Sequence, residues 1–100
     1  MNASITLTDH PDAQRFEADV DGAQAFATYQ MDAKTMTFTH TEVPEALRGR
    51  GIGSQLVKAA LQAARDGGLH VVPQCPMFAA YMRAHPETQD LLTPAARAQL

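Results

Sequence analysis

The chain has 100 residues, 45% of them hydrophobic and 19% charged, and its formal net charge is -3. This length predicts one domain, covering residues 1–100, around a single core. The sequence holds no apolar run of about eighteen residues and no N-terminal apolar block, which argues against a membrane-spanning helix and a signal peptide. Mild acidity argues against nucleic-acid binding, because phosphate recognition needs a basic face. These features predict a cytoplasmic domain.

The core is expected to be thin. Leu, Ile, Val and Phe together contribute 19 residues, whereas alanine alone contributes 18. Alanine buries little area per residue, so we expect modest stability or help from a bound ligand. The one cysteine, Cys75, excludes an internal disulfide, and the four histidines show no metal-ligand spacing.

The first 43 residues alternate apolar and polar side chains, as half-buried strands do. Ile5 and Leu7 predict the first strand, and residues 16–20 predict the second. Asp21-Gly22 is a two-residue hairpin signal, and residues 24–31 predict the strand that returns beside the second one. Residues 35–43 alternate again. We therefore predict an antiparallel meander of three or four strands.

The period then changes to that of a helix. From Ile52 to Ala64 the apolar residues recur on one face, and Gly67-Gly68 supplies a stop. Residues 69–72 predict a short strand buried on both faces. Pro76 is well placed to open a second helix, and Thr93-Pro94 resembles the cap of a short third one. The predicted fold class is α+β, a mixed α/β layer in which the meander is followed by helix, strand and helix.

The turn between the last meander strand and the first helix carries three glycines at alternate positions, Gly49, Gly51 and Gly53, with Arg48 and Arg50 between or before them. A helix start presents unpaired N–H groups and the positive end of its dipole, and glycine lets a phosphate approach the backbone. The turn therefore predicts an anion site.

Three nucleotide-binding patterns compete for this turn. A P-loop needs a Lys-Ser/Thr pair after its last glycine, and none follows Gly53. A dinucleotide fingerprint needs a third glycine where Ser54 stands, and an acidic residue after the next strand. The pattern that fits is Arg48-x-x-Gly51-x-Gly53, which resembles the pyrophosphate-binding loop of the GNAT superfamily of N-acyltransferases.

The resemblance extends beyond the loop. The segments 40–44, 72–76 and 85–87, together with Phe78 and Tyr81, are similar to the small YjdJ-type N-acetyltransferase family. The similarity covers roughly residues 35–90 and implies a minimal GNAT-like fold. Compared with a full-length GNAT domain, residues 7–16 leave no room for the helices that usually shape the acceptor site.

The resemblance implies acetyl-CoA, or coenzyme A, as cofactor. It places the pyrophosphate on the loop and the pantetheine arm on the end of the last meander strand. The implied cofactor-binding residues are Thr41, Glu42, Val43, Arg48, Gly49, Arg50, Gly51, Ile52, Gly53, Ser54 and Phe78. The implied partners are an acyl-CoA and an amine acceptor, either a small molecule or a protein lysine or N-terminus. A monomer or weak homodimer is expected.

The implied catalytic residues are Cys75 and Tyr81. Either could protonate the leaving thiolate in direct transfer, which relatives favour, or Cys75 could be acylated first in a double displacement. Core packing explains Tyr81 as well as catalysis does, and a buried structural thiol explains Cys75 as well as chemistry does. His40, Glu42 and Glu45 are near enough to be considered as a general base.

The leading hypothesis is thus an acyl-CoA-dependent N-acyltransferase. The alternative is a non-catalytic module that binds coenzyme A or acyl-CoA and regulates a partner. A third reading is a small structural α+β domain whose glycine turn is only a connection.

Overall fold

A computed structural model describes residues 5–100, so the first four residues of the predicted domain lie outside the described part. Five strands lie side by side in chain order: β1 (Leu7–His10), β2 (Arg15–Val20), β3 (Ala23–Asp32), β4 (Thr35–Glu42) and β5 (His70–Pro73). The helices are α1 (Ile52–Asp66), α2 (Pro76–Ala84) and α3 (Pro94–Gln99). Short 3-10 turns occupy Pro11–Ala13, Glu45–Leu47 and Pro86–Leu91. The predicted α+β class is confirmed.

Strands β1 to β4 form the predicted antiparallel meander. The hairpin between β2 and β3 turns at Asp21 and Gly22, whose φ angles are +50° and +80°. Two consecutive left-handed residues suit the twist of a two-residue hairpin, which is why an Asp-Gly pair marks it in the sequence.

Helix α1 connects β4 to β5, which lies parallel to β4 at the other side of it from β3. The expectation that this strand is buried on both faces is wrong. Of its residues, Val71 is buried, whereas His70 is exposed. The physical reason is that Val71 pairs with the buried Met36 and faces the core, so the neighbouring His70 points to the opposite face of the sheet.

The helices pack on one face of the sheet. Strand residues that point to this face are buried, among them Phe16, Ala27 and Phe38. Phe38 lies at the centre, where its ring stacks on that of Phe78 from α2 with 4.0 Å between the centroids. Helix α1 adds its predicted apolar stripe, including the fully buried Leu56. All these residues belong to one core.

The opposite face of β2, β3 and β4 carries no buried residue among those described. Its side chains alternate with the core residues and are exposed or half-buried. The short connection from β1 to β2, with the turn Pro11–Ala13, places no long helix over it. The described chain is therefore two layers thick, with one side of the sheet open to solvent.

A β-bulge interrupts β4 just after its buried half. Thr28 of β3 pairs with His40, while the next residue, Tyr29, pairs with Phe38, so Thr39 is an extra residue in β4. The Thr39 hydroxyl lies 2.9 Å from that of Thr28. One extra residue reverses the faces beyond it. Thr41 consequently pairs with the buried Ala27 and points to the helix side.

The stacked phenylalanine pair predicts where stability resides. We expect Phe38→Ala to lower the free energy of unfolding by about 3–5 kcal/mol, since it empties a fully buried site. Phe26→Ala, on the open side of the same sheet, is the matched control and should cost about 1 kcal/mol. Urea unfolding followed by circular dichroism measures both. Equal losses of unfolding free energy in the two variants would contradict a core on one side of the sheet.

Candidate functional site

The candidate site is a wedge where β4 and β5 part. Pairing with β5 covers the first half of β4 and ends at Phe38 opposite Pro73. The Cys75 N–H then donates to the Phe38 carbonyl at 2.9 Å, the last link between the two segments. Residues 39–42 of β4 continue alone on this side within the described chain. Their backbone groups on that edge are left for another partner.

The N-terminus of α1 lies beside this wedge. Its N-cap is Gly51, and the first helical bond is donated by the Gln55 N–H to the Gly51 carbonyl at 3.1 Å. The N–H groups of Ile52, Gly53 and Ser54 therefore have no acceptor within the helix. Across the described residues, no side chain caps this end and no acidic residue occupies its first turn.

Glycine is required in this loop for two different reasons. Gly49 and Gly51 have φ angles of +79° and +73°, a left-handed conformation that other residues rarely adopt. Gly53 has a helical conformation, and at this position glycine is required because neighbouring side chains leave little room for a Cβ atom. A Cβ at Gly53 would lie 3.3 Å from the Met77 Sδ and 3.6 Å from a Val43 methyl group.

These elements enclose a cavity of about 530 Å³. It is open to solvent and brings together every predicted cofactor-binding residue except Arg50 and Phe78. Two further residues, Leu47 and Met77, line it and were missed by sequence reasoning. Met77 is 39% exposed at the first turn of α2, and no sequence signal marks it, because its exposure depends on how α2 packs. The lining residues are Thr41, Glu42, Val43, Leu47, Arg48, Gly49, Gly51, Ile52, Gly53, Ser54 and Met77.

The two arginines of the loop have different surroundings. Arg48 lines the cavity and donates from Nε to the Val43 carbonyl at 3.2 Å. Arg50 forms an ion pair with Asp21 in the β2–β3 hairpin. The structure thus places one guanidinium at the cavity and directs the other towards the hairpin.

Cys75 lies behind Thr41 and is not itself one of the residues that line the cavity. It is 4% exposed and forms the N-cap of α2. Its Sγ lies 3.2 Å from the hydroxyl of Thr41, which itself lines the cavity. The bulge at Thr39 makes this contact, because without it Thr41 would face the open side of the sheet.

The other predicted residues of α2 lie elsewhere. Phe78 is fully buried against Phe38, so its ring belongs to the core and does not line the cavity. Tyr81 borders a separate cavity of about 130 Å³ between α1 and the turn Pro86–Leu91, and its ring stacks on His85 at 3.9 Å. Burial, and secondarily the charge of Glu87, raises the pKa of Tyr81. The structure does not bring Tyr81 together with Cys75 at one cavity.

The general-base candidates separate as well. His40 and Glu42 lie on the open side of β4, with 3.1 Å between the imidazole Nε2 and the carboxylate. Glu45 is exposed in the turn Glu45–Leu47. Across residues 5–100 the structure holds no cluster of three metal-ligating side chains. Nor does that part of the chain include a helix with the length and apolar character to cross a bilayer.

The family model of the GCN5-related N-acetyltransferases matches residues 15–91, which include the whole wedge. The chain belongs to this family. The match spans β2 to the turn after α2, so the GNAT resemblance seen in the sequence is confirmed over most of the chain.

Relatives agree with this assignment, and a solved structure agrees with the fold. Protein NATD1 of Xenopus tropicalis is 31% identical over 90% of this chain and 85% of its own length. Human Protein NATD1 is 42% identical over 52 residues, which cover 52% of this chain and 46% of the relative. A GCN5-like protein from Staphylococcus aureus, solved in solution by NMR, superposes with a TM-score of 0.68 over 91% of this chain and 90% of its own, at 24% identity. The last comparison concerns the fold alone.

The raised pKa of both tyrosines is testable by spectrophotometric titration. Tyr29 donates to Asp9 at 2.6 Å, and burial, that hydrogen bond and the carboxylate charge all raise its pKa. We expect phenolate absorbance to rise at higher pH in the folded protein than in urea, where it should rise near 10. The two neutral tyrosines contribute to the free energy of unfolding below about pH 10. This contribution is lost as the pH rises through the pKa values of the tyrosines in the folded protein. A titration near 10 in folded protein would contradict this.

The burial of Cys75 predicts a slow reaction with iodoacetamide. A thiol that is 4% exposed should alkylate at least about tenfold more slowly in folded than in urea-unfolded protein. Mass spectrometry follows the single adduct. Thr41→Ala, which removes the neighbouring hydroxyl at the cavity wall, should raise the folded-state rate, while Thr37→Ala on the same strand is the control. Equal labelling in both states would show an accessible thiol.

Proposed function

We propose that this GCN5-related protein binds acetyl-CoA in the wedge between β4 and β5 and transfers the acetyl group to an amine. The observation that carries the proposal is the cavity of about 530 Å³ into which the glycine-capped N-terminus of α1 opens. Family membership supports an acetyltransferase-type function, and the open cavity at the wedge supports binding there.

The donors at the cavity suit a diphosphate. The N–H groups of Ile52, Gly53 and Ser54 carry the positive end of the helix dipole, which favours anions by about 0.3–1 kcal/mol at exposed sites and more when partly buried. Arg48 adds a guanidinium at the cavity edge. In the described first turn no carboxylate competes for these donors. A Cβ at Gly49 or at Gly51 would have no other atom within 4 Å, so the loop backbone is open to an approaching anion at these two glycines.

The unpaired edge of β4 suits the amide-containing arm of the cofactor. Residues 39–42 leave peptide groups free beyond the last pairing with β5. An extended ligand with two amides could pair with them as an added strand does. Val43 and Met77 provide apolar walls beside that edge. The residues present therefore fit coenzyme A at both its diphosphate and its pantetheine.

When bound, acetyl-CoA would supply an activated thioester. This chain's own task is then to orient the acceptor, exclude water and hold a proton near the leaving sulfur. We propose Cys75 for that proton, because its thiol contacts the cavity-lining Thr41 at 3.2 Å from behind the cavity wall. Tyr81 borders a different cavity, so it has no comparable contact with a residue of the wedge.

Direct transfer and double displacement make different demands on Cys75. As a proton donor it keeps its sulfur free. As a nucleophile its sulfur attacks the acyl carbon, the acyl–sulfur bond to coenzyme A breaks, and the leaving coenzyme A sulfur takes up the proton that Cys75 loses. We propose direct transfer. Intact-mass measurement after incubation with acetyl-CoA should show no added acetyl group. An adduct present in the parent protein and absent from Cys75→Ala would reverse this choice.

The alternative function, a binding module without turnover, is favoured by one observation. The connection from β1 to β2 holds the short turn Pro11–Ala13, so no helix of that connection walls an acceptor pocket. Two measurements separate the hypotheses. Calorimetry with coenzyme A should give binding in either case, and thiol release from acetyl-CoA with a panel of amines should exceed the blank for an enzyme. Binding without release would establish the module, and no binding would remove both.

A matched pair of glycine variants tests the cavity. Gly53→Ala places a methyl group between Val43 and Met77 and should weaken coenzyme A binding about tenfold, which is about 1.4 kcal/mol. Gly67→Ala adds the same methyl group at the far end of α1, in a right-handed conformation, and should leave binding unchanged. Calorimetry measures the affinities for coenzyme A, and thermal unfolding measures the stabilities of the variants. Equal affinities of both variants and the parent would place the ligand elsewhere.

A further inference from the structure

The open side of the sheet meets the wedge at the end of β4. We call the part of this side from the end of β4 to the β2–β3 hairpin the outer face, and its exposed or half-buried residues alternate with the core positions of β2, β3 and β4. Glu42 belongs to both regions, since it borders the cavity and its carboxylate pairs with His40 on the outer face. The outer face consists of Arg15, Glu17, Asp19, Gln24, Phe26, Thr28, His40 and Glu42.

One row across the outer face has a distinctive composition. Glu17 of β2 is paired with Phe26 of β3, and Phe26 is paired with Glu42 of β4. Directly paired residues in antiparallel strands hold their Cβ atoms about 4.5–5.5 Å apart. A half-buried phenyl ring therefore lies between two carboxylates, and one of these stands at the rim of the cavity.

The ring of Phe26 already contacts a cation. The guanidinium carbon of Arg15 lies 3.7 Å from the ring centroid, and Arg15 Nε is 2.8 Å from Glu17. The Glu17 carboxylate also lies 3.0 Å from the Nε2 atom of His10. At the other end of the row, the partner of Glu42 is the imidazole of His40, so no guanidinium or ammonium group of the described chain pairs with it.

The charges of the outer face are complementary to a basic partner. Its carboxylates are Glu17, Asp19 and Glu42, and its one permanent cation is Arg15. The face is thus negative, and a carboxylate beside an aromatic ring suits a lysine, whose aliphatic stem packs on apolar surface while its ammonium group contacts the charge.

We propose that the outer face docks a basic, lysine-bearing segment of another protein, with Phe26 contacting the lysine stem and Glu42 its ammonium group at the rim of the cavity. The inference rests on the proposed function, because it names the acceptor of that transfer. A protein segment suits this face better than a small amine, since small-molecule sites are concave and this face lies uncovered. Glu17 and Asp19 then attract neighbouring cations of the same segment.

Binding is tested first, without turnover. The probe is a short fluorescent peptide with one lysine flanked by arginines, and the comparison peptide carries glutamates in place of the arginines. Anisotropy with coenzyme A-saturated protein should show binding of the basic peptide at least about tenfold tighter, weakening as salt screens the charges. Equal binding of the two peptides overturns the proposal.

Variants then locate the contact. Phe26→Ala and Glu17→Gln should each weaken binding of the basic peptide about fivefold. Asp66→Asn removes a carboxylate at the end of α1, in the other layer, and should leave the affinity unchanged. Thermal unfolding verifies that each variant folds. Amide chemical-shift changes in the parent protein, which need no variant, should fall on β2 to β4. Changes confined to the helices overturn the proposal.

Measurements of turnover distinguish the docking proposal from the proposed acetyl transfer on which it rests. Thiol release should be at least about tenfold more efficient, as kcat/KM, with the basic peptide than with spermidine, and Glu42→Gln should raise the KM for the peptide. Equal efficiency with spermidine overturns the docking proposal and leaves the transferase standing. Tight peptide binding without thiol release from any amine leaves the docking face standing and removes the transferase.

Discussion

The extra residue in β4 is the constraint on which the candidate site depends. Up to Phe38 the strand pairs with β3 on one side and β5 on the other, and its buried residues serve the core. Thr39 then shifts the register, so that Thr41 turns towards Cys75 while Glu42 turns towards the open side. A regular strand would exchange these two directions. One unpaired residue therefore converts a core strand into the wall of a cavity and connects that cavity to the outer face.

Alanine determines how closely the layers approach. Ala18, Ala25 and Ala27 on the sheet and Ala60 and Ala64 on α1 are almost fully inaccessible to solvent. Small side chains bring the helix near the strands but contribute little buried area each, so the large residues carry much of the packing energy. This is why the stack of Phe38 on Phe78 occupies the centre, and why Phe78 is unavailable to a ligand.

The sequence allowed the elements, their order and most of the cavity lining to be predicted, because alternation, glycine turns and helical periodicity are local signals. The arginine-glycine loop indicated the cavity at the start of α1 in the same local way. The bulge at Thr39 could not be predicted, since a threonine within an alternating run looks like any other strand residue. The separation of Tyr81 from Cys75 was predictable, because six residues along one helix set two side chains about 9 Å apart along the axis and about 240° around it. The side chains of Met77 and Arg50, by contrast, take their directions from tertiary neighbours.

The ion pair between Arg50 and Asp21 has a mechanical consequence. It fastens the arginine-glycine loop, whose backbone contains two left-handed glycines, to a hairpin at the opposite end of β3 from the β3–β4 turn. Both partners are largely solvent-accessible, so dissolved ions loosen the tether. Ionic strength would thereby tune how freely the loop moves, independently of its direct screening of any bound phosphate. The stiffness of the helix entrance is in this way set partly by a reverse turn more than twenty-five residues earlier in the chain.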